Sequence, residues 1–356
     1  MRVTRIAVER AFDFAGPEYH ELFGRSDATA FQHPLWLDRL YFHLAPVRGA
    51  EKLVVTGRTA TGQLLFVLPM IRRRKWGITL VEAADLGVSD YAAPVVDRSW
   101  QPSDDLVRSV RERLPSFDLL RVRPVRAEAV NRWQAFFPAQ AVQQDFGAHA
   151  VGLFAPYAEW RKQVLTPSFT KYLDRKKKRL FRSGGAELRL LLKPAEIAAA
   201  FSAIQSLRAG RFEGDVIQQN FVRDFYADIA ARGVATELAR TYALTLDSEP
   251  IGYVFGLTHA GRFHYLLIGC DYRAHGRHSP GLLMYDLIME DWLSSGGDCF
   301  DFTIGDEPFK ADFGTQQTAI YALSCCATPV GKLALAAFNL RKRLTRPKAA
   351  EDHKTS

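Results

Sequence analysis

Along the second half of the chain, short apolar runs alternate with stretches of helical period. Residues 187–192 (ELRLLL) read as a strand, and Ile197, Phe201 and Ile204 then fall on one face of a helix over 195–209. A second helix is expected at 217–232. Strands follow at 236–246, 250–258 and 262–269, separated by Ser248-Glu249-Pro250 and by Gly261. A polar loop, CDYRAHGRHSPG, leads into a helix over 281–295 whose inner face is Met284, Leu287, Ile288 and Trp292, with Gly296-Gly297 as its stop. Cys299 to Thr303 reads as a buried strand, followed by a helical turn near 307–313 and a strand at 317–326.

A similar order occurs earlier. Helices are expected at 17–24 and 35–43, strands at 52–58, 62–70 and 77–82, a helix at 103–114 and a strand at 117–122. The shared helix-helix-strand-strand-strand-helix-strand order predicts two related α/β halves joined near residue 150. Boundaries are drawn at 1–152 and 153–329, with 330–356 as a C-terminal helix and polar tail. A chain of 356 residues has room for two cores.

Composition narrows the function classes. No stretch approaches the roughly 20 apolar residues that cross a bilayer, and MRVTRIAVERAFDF lacks an apolar signal core, so the chain reads as cytoplasmic. The cysteines Cys270, Cys299, Cys325 and Cys326 form no CxxC pair, so neither a metal site nor a disulfide framework is expected. The net charge of +8 is concentrated in Arg72–Lys75, Arg175–Arg179 and Arg341, Lys342, Arg343 and Arg346. This favours an anionic partner without choosing among nucleotide, phosphorylated sugar, membrane surface and nucleic acid. No nucleic-acid motif accompanies the charge, so sequence-specific binding is not expected.

Two segments suit chemistry. In the loop from Asp271 to Gly281, Ser279 suits an N-cap and Pro280 the first helical position, which leaves free N–H groups for a phosphate. Gly276 and Gly281 permit close backbone approach, and Arg273 and Arg277 add charge; a plain capped helix would use the same residues. The run DFTIGDEPFK leaves the C-terminal end of a buried strand, where ligands of α/β sheets bind. There Asp306 or Glu307 could take a proton and Lys310 could balance an oxyanion, or the acids could simply favour a helix N-terminus. His264, on the preceding strand, is a candidate base or a packed core residue. The helix from Phe169 to Arg182 sets Lys171, Arg175, Lys178 and Arg182 on one face, as a solvated cationic surface or a clamp for an anion. Arg208, Arg211 and Phe212 would edge an acceptor pocket, with the Asp85, Asp90 and Tyr91 stretch as its second wall or as an ordinary loop. The amphipathic LALAAFNLRKRL (Leu333 to Leu344) would dock on the domain or could lie on an acidic membrane surface.

The HSPG–helix–DFTIGDEPFK sequence resembles the acetyltransferase domain of the CelD/BcsL family of cellulose and exopolysaccharide biosynthesis, within the GNAT superfamily. The resemblance covers residues 155–325, and extends more loosely to FQHPLW (Phe31 to Trp36) and LLFVLPMIRRR. The Phe309-Lys310-x-x-Phe313-Gly314 string resembles the FemAB-like aminoacyl transferases, in which the lysine lies by the reacting carbonyl. In the pyrophosphate loop Arg273-Ala-His-Gly276 matches, but His278 replaces the final small residue, and position 309 is Phe where Tyr is common.

The resemblance implies two tandem GNAT-like domains, each with a mixed, mostly antiparallel sheet flanked by helices. It implies transfer of an acyl group, acetyl in the first instance, from acyl-CoA as co-substrate rather than permanent cofactor, to a small-molecule or carbohydrate acceptor. The donor would lie at Ile268 and Arg273 to Gly281. Two rivals stay open: an aminoacyl transferase using charged tRNA, and a non-catalytic scaffold of a polysaccharide-synthesis complex. The first half has no counterpart of HSPG or GDExxK and is expected to be catalytically silent.

Overall fold

A computed structural model of the chain describes residues 3–103, 105–211 and 214–344. Its strands are β1 (Arg5–Glu9), β2 (Ala50–Arg58), β3 (Leu64–Lys75), β4 (Ile78–Ala83), β5 (Val95–Val96), β6 (Leu119–Arg126), β7 (Gln140–Gly152), β8 (Ala186–Leu190), β9 (Ala239–Leu246), β10 (Glu249–His259), β11 (Arg262–Cys270), β12 (Cys299–Ile304) and β13 (Gln316–Cys326). The helices are α1 (Pro17–Gly24), α2 (Pro34–His43), α3 (Leu106–Arg113), α4 (Val130–Gln134), α5 (Tyr157–Val164), α6 (Pro167–Arg182), α7 (Pro194–Arg208), α8 (Asn220–Gly233), α9 (Tyr272–His275), α10 (Pro280–Ser294), α11 (Phe309–Asp312) and α12 (Pro329–Leu344). The class is mixed α/β, as expected, but the strands join one 13-stranded sheet in the order β1-β2-β3-β4-β6-β13-β7-β12-β11-β10-β9-β8, with β5 on β3.

The join depends on one strand that the apolar pattern did not announce, β7. β7 alternates weakly (QAVQQDFGAHAVG), with many polar positions, yet it pairs antiparallel with both β12 and β13. β13 in turn pairs with β6, so the last strand of the second half is threaded between two strands of the first. Among the described residues only β4–β6 and β11–β12 are parallel, each over three residue pairs: Leu80–Glu82 against Leu119–Arg121, and Arg262–His264 against Cys299–Asp301. Past His264 and Asp301 the backbones of β11 and β12 no longer pair, so these two strands part toward their C-terminal ends.

One face of the sheet carries α1 and α2 beside α7 and α8 in a single core with Phe31, Trp36, Phe201, Ile204 and Phe225. The opposite face is covered separately. In the first half Trp100, Trp133 and Phe136 pack with Leu106 and Val110 of α3; in the second, α5, α6 and α10 supply Trp160, Leu173, Met284 and Ile288. Helix α10 is buried on more sides than the periodicity predicts, since Leu283, Tyr285, Asp286 and Met289 are also inside. The extra burial arises because α5 and α6 cover its outer side, where Tyr157 Oη donates to Asp286 Oδ1 at 2.9 Å and Arg161 pairs with it at 3.2 Å.

The FQHPLW segment holds the two halves and a loop together. Phe31 and Trp36 are fully buried, and Trp36 packs edge-on against Phe225 of α8 at 5.0 Å. Gln32 Nε2 donates to the Tyr91 carbonyl at 2.7 Å, and Trp36 Nε1 donates to Ser89 Oγ at 2.9 Å. Trp36→Ala removes both packing and an anchor, and is expected to cost about 3–5 kcal/mol in urea unfolding; a loss below 1 kcal/mol would mean that the two helix pairs do not share a core.

His264 lies in the same core, edge-on to Phe31 and Tyr91, with Nδ1 buried and unpartnered. Burial, opposed by Asp301 and aided by Arg262, pushes its imidazole down to about 4. The folded ring therefore stays neutral while the unfolded one takes a proton below about 6.5, so stability falls as pH drops from about 6.5 to about 4. The loss attributable to this ring is at most about 3 kcal/mol. His264→Phe should flatten the dependence of unfolding free energy on pH within that window; an unchanged slope would show that the ring is protonated in the folded chain.

Candidate functional site

The crevice between β11 and β12 begins after His264 and Asp301. At Thr303 the backbone turns to φ +57, an unfavourable value for a β-branched residue, and the β12–β7 register shifts there. Thr303 Oγ1 then donates to the Tyr265 carbonyl across the opening at 3.0 Å, pinning the two strands where they part. On the α10 side the crevice is lined by aromatics: Tyr285 stacks on Phe309 at 5.3 Å and meets Tyr265 and Phe302 edge-on at 5.1 and 5.2 Å.

Lys310 is buried and committed to the backbone. Its Nζ donates to the carbonyls of Ile304 at 3.1 Å and Gly305 at 2.8 Å, and pairs with Glu307 at 2.9 Å. It therefore fixes the end of β12, and in this arrangement its charge serves the strand end rather than an open oxyanion position. Asp306 accepts from Gly147 N–H at 3.1 Å, His149 Nε2 at 2.7 Å and Gln317 Nε2 at 3.1 Å. Burial pushes its carboxyl up, but these hydrogen bonds outweigh burial and hold it below the ordinary carboxylate range, which weakens it as a base. Glu307 is exposed beside Lys310. His264 is sealed from the crevice in its aromatic box.

Behind the crevice, Asp301 is fully buried and accepts four hydrogen bonds: Tyr91 Oη and Thr303 N–H on Oδ1, both at 2.8 Å, and Arg126 and Arg262 on Oδ2, both at 3.2 Å. Tyr91 thus ties the first half to a carboxylate of the second. Its neighbour Asp90 is half-buried beside the Thr303 side chain. Burial raises its carboxyl to about 7, with Thr303 and Lys310 opposing and Asp301 and Asp85 adding. Tyr226 of α8 faces it, and burial and the Asp90 charge both push that phenol up. Sequence reasoning placed Asp90 in a loop. The signal available was an acid beside a tyrosine, next to a segment whose buried aromatics would have to anchor it.

Helix α10 begins as expected at Pro280, but Ser279 is not a side-chain cap. It takes φ +53, and its hydroxyl bonds Tyr172 of α6 at 2.6 Å. The N–H groups of Gly281 and Leu282 have no protein acceptor among the described residues. Gly281 lies under the Tyr272 hydroxyl and against Ile268, so a Cβ there would collide with the phenol. Tyr272 itself carries Arg211 over its ring at 4.2 Å. Arg208 donates to Asp215 at 2.7 Å and to the Ile268 carbonyl at 3.0 Å, so it braces β11. Phe212 lies outside the described residues.

Helix α6 crosses the same loop. Thr166 caps it by accepting from Phe169 N–H at 3.3 Å, and Phe169, Leu173 and Leu180 are its buried stripe. Lys176 Nζ donates to the Arg277 carbonyl at 2.7 Å, which ties helix to loop. Between them opens a groove of about 700 Å³ lined by Arg175, Lys178, Arg179, Arg182, Arg277 and His278, with Asp174 as its acid. Asp174 is engaged by Arg161 at 2.8 Å. Arg175, Lys178 and Arg277 are thus brought together as the sequence suggested, while Arg273 is exposed and outside the groove lining, and Lys171 does not line it either. Cys270 and Cys299 are poor candidates for a nucleophile: burial pushes the Cys270 thiol up to about 12 and the Cys299 thiol up to about 11.

Residues 167–311 match the family model described as an acetyltransferase (GNAT) domain. Among curated proteins no sequence matches significantly. Among solved structures, FemX superposes with a TM-score of 0.64 at 11% identity, over 92% of this chain and 99% of that one. The C-terminal domain of a putative lysylphosphatidylglycerol synthetase from Agrobacterium fabrum gives 0.55 at 11%, over 93% and 97%. A tandem GNAT protein from the clavulanic acid biosynthesis pathway gives 0.51 at 14%, over 91% and 99%. Such identities establish the fold, and the family model supplies the chemistry: residues 167–311 are a GNAT-superfamily acetyltransferase domain set in a tandem-GNAT-like fold, and the chain is an acyltransferase.

Proposed function

We propose that the chain transfers an acyl group, acetyl in the simplest case, from acyl-CoA to an amine or hydroxyl of a small or carbohydrate acceptor. The observation that supports this most is the basic groove of α6 opening beside the unpaired N–H groups of α10, at the C-terminal ends of two diverging parallel strands. Diphosphate oxygens would accept from Gly281 and Leu282 N–H, and Arg175, Lys178, Arg179 and Arg277 would balance the remaining phosphate charge. The thioester would lie in the crevice after Tyr265.

In this reading the first unit, residues 1–152, binds no donor. The space behind its loop 84–93 measures about 10 Å³, room for about one water. It instead supplies Asp90 to the crevice of the second unit, residues 153–329. Asp90 takes the proton as the acceptor nitrogen or oxygen attacks the thioester carbon. The C–S bond breaks as the tetrahedral adduct collapses, and the proton passes to the departing thiolate. A carboxyl near 7 suits both exchanges, whereas Asp306 is too acidic and His264 too enclosed. Lys310 acts as a positioning residue for the strand end. A polysaccharide precursor as acceptor, and a cytoplasmic setting, rest on the sequence resemblance.

A second reading, an aminoacyl donor carried on tRNA, draws support from the likeness to the lysylphosphatidylglycerol synthetase domain and from the volume and charge of the basic groove. Isothermal titration with acetyl-CoA separates the two. Binding by the wild type and its loss, tenfold or more, in Gly281→Glu would support the helix-end site; no binding of CoA esters together with salt-sensitive binding of RNA would favour the other donor.

Asp90→Asn should lower kcat by about 10²–10⁴-fold with little change in donor affinity, and abolish the limb of the rate profile near pH 7. Retention of that limb would remove Asp90 from the mechanism.

A further inference from the structure

Helix α12 carries two apolar stripes. Gly331, Ala334, Leu335 and Phe338 face the sheet, packing with Leu80, Leu119 and Cys326. Val330, Leu333, Ala337 and Leu340 repeat at the same helical spacing on a different side, and Val330, Leu333 and Leu340 are 50%, 73% and 58% exposed. A surface helix with one buried stripe is normally polar elsewhere, so this second stripe needs an explanation. Beside it, at the tip of the β3–β4 hairpin, Trp76 is 66% exposed, with φ +52 turning it outward. Its ring lies 6.1 Å from Phe338 of α12, and Lys75 sits over it at 4.5 Å.

Charge selects the occupant. From Phe313 to Ala350 the sequence has no Asp or Glu, but it has Lys332, Arg341, Lys342, Arg343, Arg346 and Lys348. The hairpin adds Arg74 and Lys75, both exposed. Another copy of this chain would bring the same cations against these and repel them. An aromatic at the edge, an aliphatic stripe and flanking cations are what an anionic lipid interface accommodates: the stripe enters the acyl boundary, the indole sits at headgroup level and the cations meet phosphates.

We infer that α12 and the Trp76 hairpin tip form a docking face for an anionic membrane surface. The surface is touched and not crossed: no helix among the described residues is long and apolar enough to span a bilayer. β12 and β13 run in the same direction, since both pair antiparallel with β7. The C-terminal ends that hold the crevice and lead into α12 therefore point the same way, and docking would turn the acyl-transfer site toward the lipid side.

The test is co-sedimentation of the full chain with vesicles of mixed phosphatidylglycerol and phosphatidylcholine, against vesicles of phosphatidylcholine alone. The expected result is binding to the anionic vesicles only, weakened about tenfold or more in a Leu333→Glu, Leu340→Glu double variant. Because both side chains are exposed, the variant should keep the wild-type unfolding midpoint, which separates lost docking from lost folding. Quenching of tryptophan fluorescence by brominated lipid should be reduced in Trp76→Phe. Equal sedimentation of wild type and double variant, or no preference for anionic lipid, overturns the proposal. So does a wild-type dimer in light scattering that becomes a monomer in the variant, which would assign the stripe to a second copy.

Discussion

A buried carboxylate must be paired or pay heavily in desolvation, and Asp301 meets that demand by drawing on the whole molecule. Tyr91 and Arg126 come from the first half, Arg262 and Thr303 from the second. The residue sits at the last paired position of the parallel β11–β12 register, so the network fixes where those strands stop pairing and the crevice starts. The same network sets Asp90, one residue before Tyr91, against Thr303. The position of the proposed base therefore follows from the electrostatic need of a neighbour that takes no part in the chemistry.

The threading of β13 between β6 and β7 gives this arrangement its rigidity. Two separate sheets could hinge about a linker, but here β6–β13, β13–β7 and β7–β12 are hydrogen-bonded across the boundary, so the sheet is continuous from β1 to β8 along its order. The first half can therefore serve the second as a fixed wall. Its FQHPLW segment holds the 84–91 loop through Gln32 and Trp36, and that loop delivers Asp90. In the proposed mechanism a half that binds no donor would in this way still shape the site.

The basic groove rests on a different balance. Ser279 gives up helix capping to bond Tyr172, and α6 is thereby drawn over the loop until its cations face those of Arg277 across an open groove. Such a concentration of guanidinium and ammonium groups, with Asp174 already engaged by Arg161, repels itself until an anion arrives. The loop and the basic helix, separated by about a hundred residues of sequence, make sense only together.

Much of the second half was legible in the chain. The helices at Pro194–Arg208 and Pro280–Ser294 and the strands β9 to β13 follow from apolar period and from Gly, Pro and Ser punctuation, because local burial on one face is recorded in spacing. The HSPG loop and the charged face of α6 were legible for the same reason. β7 was not, since its polar residues are satisfied by strands from both sides rather than by an apolar face. Nor were the roles of single residues. Lys310 and Asp306 looked available in the sequence, and only the fold shows their charges engaged by carbonyls and by His149. Asp90 looked like a loop acid, and only the fold encloses it near Thr303. Spacing along a chain reports which face of an element is buried; it does not report which distant groups will share that burial, and proton affinity depends on those groups.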